Sequence, residues 1–84
     1  MLIWHESAWQ DYLYWQNQDK KTLKRINTLI KDIIRNGNTG IGKPEPLKEN
    51  LTGFSSRRIN KEDRLVYRIM GNGDVQIAQC KGHY

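Results

Sequence analysis

The sequence predicts an α+β domain: an N-terminal strand, then two helices packed on one face of a mainly antiparallel sheet. Apolar residues recur at helical spacing in the first half of the chain, most clearly Ile26, Ile30 and Ile33. In the second half, apolar and polar residues alternate in short runs separated by turn residues, the pattern of a half-buried meander. The chain has 84 residues, without internal repeats or a dividing linker. That length supports one domain, residues 1–84, with a modest core.

Met1 to Trp4 reads as the first strand. Glu6 or Ser7 begins a helix on which Ala8, Trp9, Tyr12, Leu13 and Trp15 recur every three to four residues. Its aromatics suit packing in the core or against a partner, since rings dominate buried area; a stacking platform for bases is the alternative. Asp19 is placed to cap a second helix. Leu23, Ile26, Ile30, Ile33 and Ile34 mark its apolar face. Lys20, Lys21, Lys24, Arg25 and Lys31 cover the other, a solvated face with RNA contact as the alternative. Asn36-Gly37 ends the helix in the manner of a left-handed C-cap. Residues 37–42 form a flexible connector. They follow a helix and lack the lysine–serine/threonine ending of a phosphate-binding loop.

Pro44 and Pro46 each fix their own φ and bias the residue before them towards extended geometry, so Glu45 sits in a loop with little backbone freedom. Ser55 to Asn60 reads as a strand with Arg58 on one face and Arg57 with Ile59 on the other. Lys61 to Asp63 is a polar turn. Arg64 to Met70 is the best strand, with Leu65, Tyr67 and Ile69 opposite Arg64, Val66, Arg68 and Met70. Residues 71–74 contain Asn-Gly, a strong hairpin signal, and Val75 to Lys81 returns as the last strand. The helices therefore cover one face of the sheet, and the opposite face is basic.

The net charge is +5. A basic domain favours a polyanion or an acidic protein partner, against the bland alternative of a solvated basic surface. The single cysteine, Cys80, excludes an intramolecular disulfide, and no Cys/His spacing suits zinc. Its apolar surroundings suggest a buried structural thiol, consistent with a reducing cytoplasm. No signal peptide or membrane-length apolar stretch is read, so no membrane partner is expected.

Six basic residues lie between Lys43 and Tyr67: Lys43, Lys48, Arg57, Arg58, Lys61 and Arg64. A carboxylate among them suits chemistry on a phosphate. RNA is cut without metal or cofactor when the ribose 2′-hydroxyl attacks its own 3′-phosphate. That reaction needs a base, an acid for the leaving oxygen, and positive charge on the phosphorane. Glu45 and His83 supply the first two; Arg64, Arg58 and Lys48 supply the third. An ordinary glutamate, titrating near about 4.3, is a weak base at neutral pH, whereas histidine near about 6.5 is better matched. Substrate positioning then carries much of the acceleration, which suggests an RNA held by something larger than this chain. Taken singly, a histidine in this position is an ordinary solvated end. Tyr84 suits stacking on a base. His5, at the strand-to-helix junction, reads as structural or surface.

The chain resembles the YoeB-type (Txe/YoeB) toxins of the RelE/ParE toxin–antitoxin superfamily. The motifs that carry the resemblance run in order along the whole chain: LIW, DYLYWQ (Asp11 to Gln16), INTLIKD (Ile26 to Asp32), GKPEPLK (Gly42 to Lys48), NLTGF (Asn50 to Phe54), SRRI (Ser56 to Ile59), RLVY (Arg64 to Tyr67) and the final HY. The resemblance implies a RelE-like, microbial-ribonuclease-like fold and a ribosome-dependent endonuclease that cuts mRNA in the ribosomal A site, inhibiting translation. It implies Glu45 as general base, His83 as general acid and Arg64 as the phosphate-stabilising arginine. Lys48 and Arg58 would be supporting cations, and Tyr84 would orient the substrate nucleotide. It also implies contacts with ribosomal RNA, a YefM-like antitoxin, homodimerisation, and operator DNA met only through the antitoxin complex. The chain departs from the pattern at Ser55, where an aromatic is expected, at Gly82, where a bulkier residue is expected, and in a longer 71–74 turn.

Two other readings stay open at this point. One is a ParE-like gyrase inhibitor on the same superfold, which would need no acid–base pair. The other is a non-catalytic basic RNA- or protein-binding module, which would keep its toxicity without Glu45 and His83.

Overall fold

The computed structural model describes residues 1–84. Strand β1 (Leu2–Trp4) leads into helices α1 (Glu6–Gln18) and α2 (Lys20–Asn36). Strands β2 (Glu45–Pro46), β3 (Ser55–Arg58), β4 (Arg64–Ile69) and β5 (Val75–Gln79) follow. The sheet order is β1-β5-β4-β3-β2. β1 runs parallel to β5, and every other neighbouring pair is antiparallel.

Helix α2 begins as its sequence predicts. The Asp19 carboxylate accepts from the Lys21 and Thr22 main-chain N–H groups and the Thr22 hydroxyl, satisfying donors that the first turn leaves open. The helix buries Thr22, Ile26, Leu29, Ile30 and Ile33. The predicted face is corrected at one point: Ile34 is 62% exposed and Leu29 takes its place in the core. Spacings of four, three and four from Thr22 give a straight stripe through Leu29 and Ile33, and Ile34 lies about 100° beyond it. At the C-terminus, Gly37 donates its N–H to the Ile33 carbonyl. Its ψ of −127° lies outside the expected left-handed helical well.

The core lies between the helices and one face of the sheet. Ala8 of α1 and the α2 stripe pack against Leu65, Tyr67, Val75 and Ile77. Of the aromatics on α1, Tyr12 and Trp15 pack against this cluster, whereas Trp9 and Tyr14 are exposed. Cys80 follows the last strand rather than lying within it, and it is fully buried, as expected for a structural thiol.

Two sequence expectations about the sheet are corrected. Glu45 is not in a loop but on a two-residue edge strand, where it sits opposite Ser56. The flanking prolines explain this: they favour extended backbone, and an edge strand tolerates their missing N–H groups. The hairpin read from Asn72-Gly73 does join β4 and β5. Gly73 N–H bonds to the Met70 carbonyl and Met70 N–H to the Asp74 carbonyl, leaving a three-residue loop with Gly73 at φ 92°. Strands β3 and β5 also end earlier than predicted. Asn60 turns the chain after β3, its side chain accepting from the Glu62 and Asp63 N–H groups.

Arg57 lies on the helix side of the sheet and is fully buried. Its guanidinium donates to Asp32 Oδ2 (2.7 Å), the Tyr67 hydroxyl (3.0 Å) and the carbonyls of Gly37, Thr39 and Ile41. Asp32 in turn accepts from the Ile41 N–H and from Asn36. A buried charge is tolerated when it is paired and hydrogen-bonded. The hydrogen bond from Arg57 is the main reason the Asp32 carboxyl is held below the usual range. For Arg57, burial works against the charge, but the bonds to Asp32 and Tyr67 outweigh it and raise its pKa. This network ties the 37–42 connector to α2 and β3, so the connector is anchored. Gly42 completes the fit. Its carbonyl accepts from the Arg58 N–H at 2.7 Å, and a Cβ there would come within 2.8 Å of Leu29 Cδ2 at a φ of 80°.

Candidate functional site

The sheet face away from the helices is built by strand parity. Register places Ser56 beside Val66 and Arg58 beside Arg64, with Glu45 beside Ser56 at the edge. Arg68 and Gln76 continue the face inward, joined by a 2.8 Å hydrogen bond from Arg68 Nη2 to Gln76 Oε1. The Arg68 guanidinium also lies over the Phe54 ring, 4.9 Å from its centroid. His5 meets the edge of that ring, so its surface position puts it near this face.

The chain's last residues fold back over this face. Gly82 is clipped to the start of β4 from both sides: its N–H donates to Asp63 Oδ1 (2.7 Å) and its carbonyl accepts from the Arg64 N–H (2.9 Å). Its φ of 80° is in the left-handed region that favours glycine, and a Cβ there would meet nothing. The departure at Gly82 is thus a conformational choice that holds the tail. Beyond the clip, the Tyr84 hydroxyl lies 3.2 Å from Ser56 Oγ, the residue opposite Glu45. His83 stacks obliquely on Tyr84, with ring centroids 5.0 Å apart, and its Nδ1 lies 3.0 Å from the Tyr84 main-chain oxygen. With a proton on Nδ1 that contact is a donated hydrogen bond, and Nε2 takes no part in it.

Glu45, His83, Tyr84, Arg58 and Lys48 are all exposed, and Arg64 is half-buried. Arg64 Nη1 donates to the Asn60 and Asp63 carbonyls, which orient the guanidinium without neutralising it. Lys48 precedes a turn of 3-10 helix at Glu49–Leu51 and pairs with no carboxylate. The arrangement brings a carboxylate strand, an imidazole, a phenol and unpaired arginines onto one face. Such a set can move protons and hold a phosphate dianion.

The sequence did not reveal three contributors. Ser56 matters only through its register with Glu45 and Tyr84. Asp63 holds the tail through Gly82. Asp32 is the distant partner of Arg57, which takes that arginine out of the basic set. The signal for this last pair was an acidic residue near the end of the α2 stripe together with an arginine of core-side parity.

Comparison with known proteins bears on this geometry. A family model described as YoeB-like toxin of bacterial type II toxin-antitoxin system matches residues 4–84. The chain is 60% identical to the toxin YoeB of Synechocystis, covering 99% of this chain and 95% of that one. It is 57% identical to the toxin YoeB of Escherichia coli K12, covering 99% and 98%. Among solved structures it resembles a YoeB/ParE toxin from Agrobacterium tumefaciens, with a TM-score of 0.96, 44% identity, and 99% and 98% of the two chains covered. It also resembles the toxin in a YoeB-YefM complex from Staphylococcus aureus, with a TM-score of 0.92, 53% identity, and 100% and 97% covered. A YoeB dimer from the same organism matches with a TM-score of 0.90 and 54% identity, covering 99% and 95%.

Proposed function

Because the chain belongs to the YoeB-like toxins of bacterial type II toxin–antitoxin systems, we propose that it is a ribosome-dependent mRNA endonuclease acting in the A site. In this reading Glu45 takes the proton from the ribose 2′-hydroxyl. The 2′-oxygen bonds to the adjacent phosphorus, and the bond from phosphorus to the 5′-oxygen breaks. His83 gives a proton to that leaving oxygen, so the products are a 2′,3′-cyclic phosphate and a 5′-hydroxyl. Arg64, with Arg58 and Lys48, offsets the charge that builds on the phosphorane. Tyr84 orients the nucleotide. Since Glu45 and His83 are exposed, alignment of the RNA by the ribosome supplies much of the acceleration.

The observation that carries this reading is the 3.2 Å contact between Tyr84 and Ser56. It supports His83 and Tyr84 acting beside the strand that bears Glu45. By analogy with the relatives seen as a YoeB-YefM complex and a YoeB dimer, we extend the proposal to a YefM-like antitoxin and a homodimer.

The test is cleavage of mRNA on purified bacterial ribosomes carrying a defined A-site codon, with a ribosome-free control. Wild-type protein should cut only in the A site. Glu45→Gln and His83→Gln should each slow the cut by roughly 10²–10⁴-fold, the usual worth of a placed acid or base. Intact mRNA from a wild-type preparation that still kills cells would overturn the nuclease reading.

A further inference from the structure

Arg58 and Arg64 are direct cross-strand partners on the same face of the sheet. Residues so paired have Cβ atoms roughly 4.5–5.5 Å apart, and like charges there are destabilising. Two more cations face the same depression, which is lined by Arg25, Arg58, Ile59, Asn60, Lys61 and Arg64. No aspartate or glutamate lines it. The salt bridges of the molecule join only Met1 with Asp74 and Arg57 with Asp32. None of the four cations is therefore in a salt bridge, although Lys61 also borders a neighbouring depression that holds Asp19, Glu62 and Asp63.

Two of the four are also held in place. Arg25 reaches from α2 and donates from Nη2 to the Arg58 carbonyl at 3.1 Å. Arg64 is braced by the Asn60 and Asp63 carbonyls at 2.7 and 3.1 Å. Of the two acidic residues between Lys61 and Arg64, Asp63 is turned to the Gly82 N–H and Glu62 is exposed. Oriented, unneutralised guanidinium groups converging on one depression match the forked geometry of a phosphate.

We propose that Arg25 and Lys61 form a second phosphate seat, which takes the RNA backbone phosphate next to the one held by Arg58 and Arg64. This rests on the endonuclease reading above. Neighbouring phosphates of a strand are one nucleotide apart, so cations flanking the reacting phosphate meet the next one. The seat gives Arg25, on the outer face of a helix whose other face packs in the core, a role in setting the path of the RNA. Protein carboxylates would find the same forks, but the continuity with Arg58 and Arg64 favours RNA.

The experiment is the salt dependence of binding. The probes are ribosomes programmed with a 2′-O-methyl A-site codon, which cannot be cut, and a free 2′-O-methyl oligonucleotide. Wild type, Arg25→Gln, Lys61→Gln, the double variant, Arg25→Lys and the control Lys31→Gln are compared. Lys31 lines a different depression on α2. The double variant should lower the magnitude of the slope of log K against log salt by about 0.7, one phosphate on a single strand. Arg25→Lys and Lys31→Gln should keep the wild-type slope. Lys61→Gln alters an exposed residue, so it reads the seat even if Arg25→Gln fails to fold.

An unchanged slope in the double variant overturns the seat, even where wild type cuts ribosomal mRNA as proposed. A slope lost on the oligonucleotide, with no cleavage of ribosomal mRNA by wild type, keeps the seat and overturns the endonuclease reading. A loss seen only in a titration with poly-L-glutamate makes the cleft a carboxylate seat and overturns the RNA proposal.

Discussion

At the scale of single residues, the hydroxyl pair formed by Ser56 and Tyr84 links the sheet edge to the tail. A double-mutant cycle on cleavage with Ser56→Ala, Tyr84→Phe and both together isolates that contact. A coupling of about 0.5–1.5 kcal/mol is expected, the usual net worth of one hydrogen bond. Additive losses would show that the two hydroxyls act separately. Glu45, His83, Arg64 and Tyr84 were singled out from the sequence by their chemistry together with the motifs that carry them. Ser56 was not. Its neighbours depend on the pairing of β2 with β3, and a two-residue strand between prolines carries no periodicity to read.

At the scale of elements, the Arg57–Asp32 pair decides where the 37–42 connector lies and, through it, where β2 starts. Arg57→Met removes every guanidinium bond of the network and should destabilise the fold by about 3–5 kcal/mol, as when one partner of a buried pair is lost. Chemical denaturation reads this directly. The pair also sets part of the acid response. The Asp32 carboxyl is held down by Arg57 in the folded chain, so its contribution is present above the ordinary aspartate pKa and lost as pH falls through the lower folded value. Asp19, lowered first by its bond to the Thr22 hydroxyl, and Asp74, lowered first by the chain's amino terminus, act in the same window. Thermal midpoints should therefore be level near neutrality and fall below about pH 4. Asp32→Asn should flatten that fall; an acid limb of unchanged steepness would count against the assignment. The helices and four of the five strands could be predicted because their signals are local. The Arg57 network could not, because it joins residues from α2, the connector, β3 and β4.

At the scale of the whole molecule, Cys80 reports on global opening. Its thiol is fully buried, lies 3.5 Å from the Ala8 carbonyl, and is pushed up to about 12, chiefly by burial. It stays protonated at neutral pH and lies where α1 meets the end of the sheet. Labelling by a disulfide reagent should be slow in the native protein and should accelerate with denaturant in step with the loss of global stability. Fast labelling without denaturant would mean that this junction opens locally. The packing of helices on one sheet face followed from strand parity. The edge strand β2 and the return of the tail did not: a two-residue strand carries no period, and the tail is held by Asp63 and Ser56, which are distant in sequence.

The parallel pairing of β1 with β5 joins the first strand to be synthesised with the last. Everything between them must emerge before the sheet can close. Long-range pairing of this kind delays folding, and the first strand spends the whole of elongation without its partner. For a protein whose proposed target is the machine that makes it, strand order itself acts as a timer. On the proposed function, the face that would engage RNA stays incomplete while β5 and the tail that follows it are still unmade.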